Sequence, residues 1–351
     1  MRLGNHLEED ALSIAIEFPN LFRQLHQKKI FITGGSGFFG RWVMAVLKAA
    51  IEFYTLETEV FLLTRQEINL LRKPVWLNKI SGDIKNFDFK KLPSSMDFIL
   101  HMAASSNPKD YQNKPESMFE DIVLGAQRIL EYGGFSQAKK ILVTSSGAVY
   151  GKKSRVDQPI REDLIPDLWG ADIYSRAKYE AEKIFIFSNI PFVIARCFAF
   201  YGETQPIGHG FAIADMQDQI KKFGKIEIKN PGTIRSFMYM GDMVRALFLL
   251  LFKPEIEGVF NVGGEKPELI LETAHKIAPL CPGEYKIRPY TGLSLPQGGR
   301  RYQQEHNEDC LQKLEDPAKE ISAVTAGQFN THNYYVPSVQ KLKALGFAER
   351  F

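Results

Sequence analysis

KIFITGGSGFFG, residues 29–40, reads as a strand that runs into a glycine turn and out into a helix. KIFIT is a short apolar run, and FFGRWVMAVLKAA (38–50) carries the apolar spacing of a helix. Gly34, Gly37 and Gly40 between them have GxxGxxG spacing. A side chain at these points would block the tight turn, the approach of backbone to a pyrophosphate, or the helix–strand contact. The helix start, with Phe38 and Phe39, presents backbone N–H groups to the phosphates. A strand before and a helix after make this a dinucleotide-binding turn rather than any cluster of glycines.

Outward from the turn the alternation continues. EVFLLTR (59–65), MDFILHMAA (96–104), KKILVTSSG (139–147) and PFVIARCFAF (191–200) read as strands, and MFEDIVLGAQRILEYG (118–133) and YSRAKYEAEKIFIF (174–187) as helices. Apolar strands bounded by helices predict an α/β fold, a Rossmann-type doubly wound parallel sheet covered on both faces. Residues 7–27 show helical spacing through Leu12, Ile16, Phe18, Leu21, Phe22 and Leu25. After about residue 203 loops lengthen and Gly and Pro cluster at 206–210, 230–232, 263–267 and 292–299, with helical stretches left at 211–223 and 241–253. The expected organisation is a helical extension (1–28), a dinucleotide-binding domain (29–203) joined by a strand or helix from about 233–262, and a smaller, discontinuous substrate lobe (204–351).

A formal net charge of +3 gives no electrostatic reason to expect nucleic acid or an anionic membrane as partner. The three cysteines, Cys197, Cys281 and Cys310, form no paired spacing, which predicts a reducing, cytoplasmic setting and no metal site. The acidic start MRLGNHLEED is not expected to be a signal peptide. The longest apolar run, Ala246 to Phe252, is far short of the roughly 20 residues that span a bilayer.

Tyr174-Ser175-Arg176-Ala177-Lys178 is a YxxxK pair. Residues four apart share one helix face, so phenol and ammonium point the same way. A tyrosine titrates near pH 10 (about 10 in model peptides), too high for a base at neutrality, and a neighbouring Lys⁺ with an oxidised nicotinamide lowers that value. Ser146, at the end of ILVTSSG, can bond the substrate oxygen that Tyr174 deprotonates. The cofactor is therefore NAD or NADP. The second strand ends in Arg65 where a carboxylate would bond the ribose 2′-hydroxyl of NAD; Arg65 fits the 2′-phosphate of NADP or a solvated loop charge.

In this order, GGSGFFG, HMAA, SSGAVYG, YSRAK and ARCFAFYG resemble the extended short-chain dehydrogenase/reductase family of NAD-dependent sugar epimerases and dehydratases. RSFMYMGD (235–242), FNVGG (260–264) and YVPSVQKLKALGF (335–347) carry the resemblance to the C-terminal end. The resemblance implies that Ser146, Tyr174 and Lys178 are the catalytic set. It places Asp83 and Ile84 at the adenine, Ala103 beside the cofactor ribose, and Arg235 at the phosphates of a nucleotide-sugar substrate, or in a surface salt bridge. It also implies a homodimer through 118–133 and 174–187.

The chain departs from the family at three places. Dehydratases follow the catalytic hydroxyl with Asp-Glu or at least Glu; here stand Gly147 and Ala148, which transfer no proton. Ala199 and Ile122 replace asparagines of the best-known subfamilies, and both also suit plain core packing. Cys197 reads as a buried small residue and His101 as structural, while His209 lines either the substrate cleft or a surface loop. The expected activity is redox-neutral nucleotide-sugar epimerisation at C4 of the sugar. A 4-ketoreductase using NADPH, a dehydratase with another acid–base set, and a non-enzymatic sensor follow in that order.

Overall fold

The computed structural model describes residues 1–65, 74–104, 113–151, 158–281, 286–289 and 334–351. Seven strands form the central sheet: β1 (Lys29–Thr33), β2 (Glu59–Thr64), β3 (Leu77–Ser81), β4 (Phe98–His101), β5 (Lys140–Ser146), β6 (Phe192–Cys197) and β7 (Gly258–Val262). Their spatial order is β3-β2-β1-β4-β5-β6-β7, and every pairing is parallel. The chain reverses its direction of winding between β1 and β4. At such a switch point the strand ends open a crevice, which is where ligands bind in this architecture.

Helices cover both faces because the inner strands are apolar on both sides. On one face α1 (Leu7–Glu17), α2 (Phe38–Tyr54) and a later helix, Met240–Phe252, share a core with Trp42, Val46, Leu100 and Leu142. On the other, α3 (Pro115–Phe135) and α4 (Ile173–Ile186) bury Ile122, Ile129, Ala177 and Phe185 against Phe31, Ile99 and Ile141. Ile122 is therefore a core residue.

The predicted helix over 7–27 is broken. α1 stops at Glu17, and a separate turn, Pro19–Phe22, follows. Proline disfavours helical backbone in the residue before it, and Phe18 sits at φ −117°, ψ 56°. Leu12 and Ile16 consequently face solvent, while Ala11, Ile14 and Ala15 are buried. The Glu203 carboxylate accepts a hydrogen bond from the Leu7 N–H at 2.9 Å, and its carbonyl accepts one from the Trp42 indole at 2.9 Å. Tyr239 donates to Asp10 at 2.6 Å.

The run 191–200 is two strands, β6 and Ala199–Tyr201, the second pairing with Phe237–Tyr239 outside the main sheet. Ile234–Arg235 lies between Glu268–Leu269 and Tyr334–Tyr335. Cys310 and the Gly/Pro stretch 292–299 lie outside the described residues. Among the described residues, no helix is long and apolar enough to cross a membrane.

Candidate active site

The glycine turn meets its stereochemical demands at two positions. Gly34 has φ +76°, and a Cβ there would lie 2.7 Å from the Ala103 nitrogen and the Met102 carbonyl carbon. A Cβ on Gly40 would overlap the Gly34 carbonyl oxygen. Gly37 begins α2 with no side chain capping the helix, so its first N–H groups face the crevice. A cavity of about 700 Å³ opens there, walled by Gly34, Gly37, Phe38, Phe39 and Gly40 on one side. A bare helix start beside glycines that leave no side chain in the way fits a dinucleotide pyrophosphate.

Ser146, Tyr174 and Lys178 line the same cavity. Asp172 caps α4 by accepting from the Ser175 N–H at 2.7 Å, which sets Tyr174 in the first turn and Lys178 one turn on. The Lys178 ammonium donates to the Thr144 carbonyl at 3.0 Å, and lies 5.9 Å from the Tyr174 ring centre. Ser146 ends β5 and accepts from the Ala148 N–H at 3.1 Å. Its hydroxyl shares the cavity wall with the Tyr174 phenol.

Burial dominates the electrostatics. It pushes the Tyr174 phenol up to about 12, with the neighbouring Ser146 hydroxyl pulling the other way. It pushes Lys178 down to about 8, opposed by the charge of Glu182. Cys197, also in the cavity wall, is raised to about 12 by burial and stays a thiol. His101 is lowered to about 3 and is neutral, its Nδ1 2.8 Å from the Thr33 hydroxyl.

The depressed lysine has a measurable consequence. An ammonium with an ordinary value of 10.5 that falls to about 8 on folding destabilises the apoprotein below pH 8. That cost fades as pH rises from about 8 to 10.5, where the unfolded chain also loses the proton. Lys178→Met should therefore stabilise the apoprotein at pH 7 by about 2 kcal/mol while abolishing turnover. Urea unfolding at pH 7 and pH 9.5 checks it: the gain must shrink at the higher pH.

A second layer supports the strand end. Glu182 accepts from the Ser145 hydroxyl at 2.5 Å and from Arg196 Nε at 3.0 Å and Nη2 at 2.7 Å. Both partners of this ion pair are buried, and the Arg196 guanidinium lies 4.7 Å from the Tyr150 ring centre. Phe198, Pro206, His209 and Phe211 also line the cavity, so His209 stands at the cleft.

Other residues singled out from sequence lie outside these walls. Arg65 is exposed at the end of β2. The Asp83 carboxylate accepts from the Lys85 N–H at 3.0 Å, and buried Ile84 packs where a Cβ on Gly125 would meet it at 3.0 Å. Ala103 donates its N–H to the Thr33 hydroxyl at 3.2 Å, beside Gly34. Arg235 donates to its neighbour's carbonyl, Ile234, at 2.9 Å, and its guanidinium lies 5.1 Å from the Tyr335 ring centre.

Tyr335 was not singled out from sequence. A Cβ on Gly147, the residue after Ser146, would stand 2.5 Å from its phenol oxygen and 2.8 Å from Phe198 Cζ. The space that a carboxylate side chain after Ser146 would need is filled.

A doubly wound parallel sheet, a glycine cradle at its switch point, and Ser146, Tyr174 and Lys178 across one cavity define a nicotinamide-dependent enzyme of the extended short-chain dehydrogenase/reductase type. The chain belongs to the NAD dependent epimerase/dehydratase family, whose model matches residues 30–263. It is 28% identical over 273 residues to GDP-6-deoxy-D-mannose reductase of Pseudomonas aeruginosa, covering 74% of this chain and 82% of that protein. Its fold is similar to epimerase Mth375 of Methanothermobacter thermautotrophicus, with a TM-score of 0.69 and 20% identity over 94% of this chain and 90% of that one. It is also similar to RMD of Pseudomonas aeruginosa complexed with NADPH, with a TM-score of 0.65 and 22% identity over 93% and 94% of the two chains.

Proposed function

We propose that the chain is a nucleotide-sugar epimerase that transiently oxidises a sugar hydroxyl, at C4, and restores it with inverted configuration. The observation that carries this reading is the turn after Ser146. Gly147 is hemmed in by Tyr335 and Phe198, so no acid or base stands there to remove water from the sugar. What remains facing the cavity is machinery for an alcohol and its ketone.

The chemistry a bound nicotinamide supplies is reversible hydride transfer. Tyr174 removes the proton from the sugar hydroxyl in one direction and returns it in the other. Ser146 donates to the same oxygen and steadies the charge that develops on it. Lys178 holds positive charge beside the phenol and favours its ionised form, which burial alone opposes. Phe211 and His209 shield the cavity from the loop side. The nucleotide part of the substrate, held with help from Arg235, keeps the ketone bound while it turns over. Asp83, Ile84, Ala103 and Arg65 belong at the adenosine end of the cofactor, along the strand ends next to Gly34. The enzyme operates in the cytoplasm. It is a homodimer through α3 and α4, which leave Leu124 and the following Phe187 exposed.

A nucleotide-sugar 4-ketoreductase using NADPH is the second reading. It is favoured by Arg65 at the end of β2 and by the reductase among the relatives. Incubating purified protein with a panel of nucleotide-linked hexoses, read by NMR, separates the two. The expected result is an epimer formed without added NADPH. A nucleotide-linked 4-keto sugar, added to the same panel, that is consumed only with stoichiometric NADPH selects the reductase, and a 4-keto-6-deoxy sugar formed from a hexose overturns both.

A further inference from the structure

Ser146 has one proton to give and two lone pairs to fill. The Ala148 N–H occupies one lone pair, at 3.1 Å. Two phenols border this hydroxyl: Tyr174 lines the cavity with it, and the Tyr335 oxygen sits against Gly147, the next residue. Only one of them can donate into the lone pair that is left, and the choice sets the direction of every proton around the reacting oxygen. If Tyr174 donates, its proton is spent on Ser146 and is not available to the substrate.

We infer that Tyr335 is the donor: a positioning residue that fills the last lone pair of Ser146, turns the Ser146 proton toward the reacting oxygen, and leaves the Tyr174 proton for the substrate. This deepens the catalytic reading of Ser146 and Tyr174 and rests on it. The geometry supplies the reasons. Tyr335 is held on several sides. Its ring lies against Phe198, with centroids 4.6 Å apart and planes at 36°, and the Arg235 guanidinium is 5.1 Å from its centre. Its backbone is paired in parallel with Ile234–Arg235. Its oxygen sits against Gly147, the next residue after Ser146, where even a methyl group would collide with it. Tyr174, by contrast, lines the cavity, whereas Tyr335 does not, so Tyr335 acts through Ser146 and not on substrate. Burial holds the Tyr335 phenol well above its ordinary value, so it keeps its proton to donate. Glycine at 147 is then a requirement of this arrangement as well as the loss of a dehydratase acid.

The test uses Tyr335→Phe, which keeps the ring packing and removes only the donor. In the full-length enzyme kcat should fall by about tenfold or more, with KM and cofactor affinity within about twofold. Ser146→Ala should fall further, and Ser146→Ala/Tyr335→Phe should match Ser146→Ala within about twofold, because Tyr335 has no route to the reaction except Ser146. Gly147→Ala, which pushes the phenol aside, should reproduce Tyr335→Phe.

A second readout needs no substrate. In protein carrying ¹³Cζ-tyrosine and saturated with NAD, the Tyr174 signal is assigned by its loss in Tyr174→Phe. Its titration midpoint should rise by about half a pH unit or more in Tyr335→Phe, because Ser146 is then free to accept from the phenol rather than donate to the phenolate. Multiplicative losses in the double variant, or a Tyr174 midpoint that does not move, overturn the assignment. If wild-type protein turns over no nucleotide hexose, the epimerase reading falls, while the Tyr174 titration still decides the role of Tyr335.

Discussion

Tyr174→Phe is expected to lower kcat by about 10³-fold while leaving cofactor affinity within a factor of about two. The substitution keeps the ring in its place beside Lys178 and removes the only oxygen that carries the substrate proton in the proposed mechanism. Turnover with the best nucleotide hexose, alongside calorimetric titration of NAD, measures both quantities. A variant that retained most of its rate would show that Tyr174 is not the proton carrier. It would also revive a role for the fold that is not enzymatic.

Gly40→Ala should be nearly as damaging, by a different route. The added methyl overlaps the Gly34 carbonyl oxygen and stands 2.6 Å from the Gly35 carbonyl carbon. Neither is the tip of a flexible side chain; both belong to the backbone of the turn itself. Relief requires α2 to retreat from β1, which should cost about 2–3 kcal/mol of stability. The same retreat removes the helix start from the phosphates, and NAD affinity should fall about 100-fold, roughly 2.8 kcal/mol. Thermal unfolding with and without NAD separates the two effects. Wild-type protein gains melting temperature from the cofactor, and the variant should start lower and gain almost nothing. A variant that NAD stabilised as fully as the wild type would place the pyrophosphate elsewhere.

The parts of the site that could be read from sequence are those whose geometry is local. Gly34, Gly37 and Gly40 lie within one turn, and Tyr174 and Lys178 lie one helical turn apart, so spacing alone implies their juxtaposition. Ser146 was legible because it ends an apolar strand of a parallel sheet, and such ends gather at one edge. Tyr335 was not, because its contact with Gly147, beside Ser146, joins distant parts of the chain through a two-residue strand too short to show any period. Arg196 did carry a signal: an arginine inside the apolar run FVIARC needs a buried anion, and Glu182, on the inner face of α4, provides it. The strand Leu77–Ser81 gave almost none, since as the sheet's edge it buries only Leu77. At residues 7–27 two local signals conflicted, and the backbone preference imposed by Pro19 outweighed apolar spacing.

The contacts of Glu203 reach beyond the architecture of the amino-terminal helix. One residue ties that helix, through Leu7, and the buried Trp42 to the segment that begins with Thr204 and ends at Phe211, which forms one wall of the cavity. A substitution at the start of α1 therefore has a route to that wall through Glu203 alone, without touching any residue that lines the cavity. In this sense α1 braces the cleft from outside it.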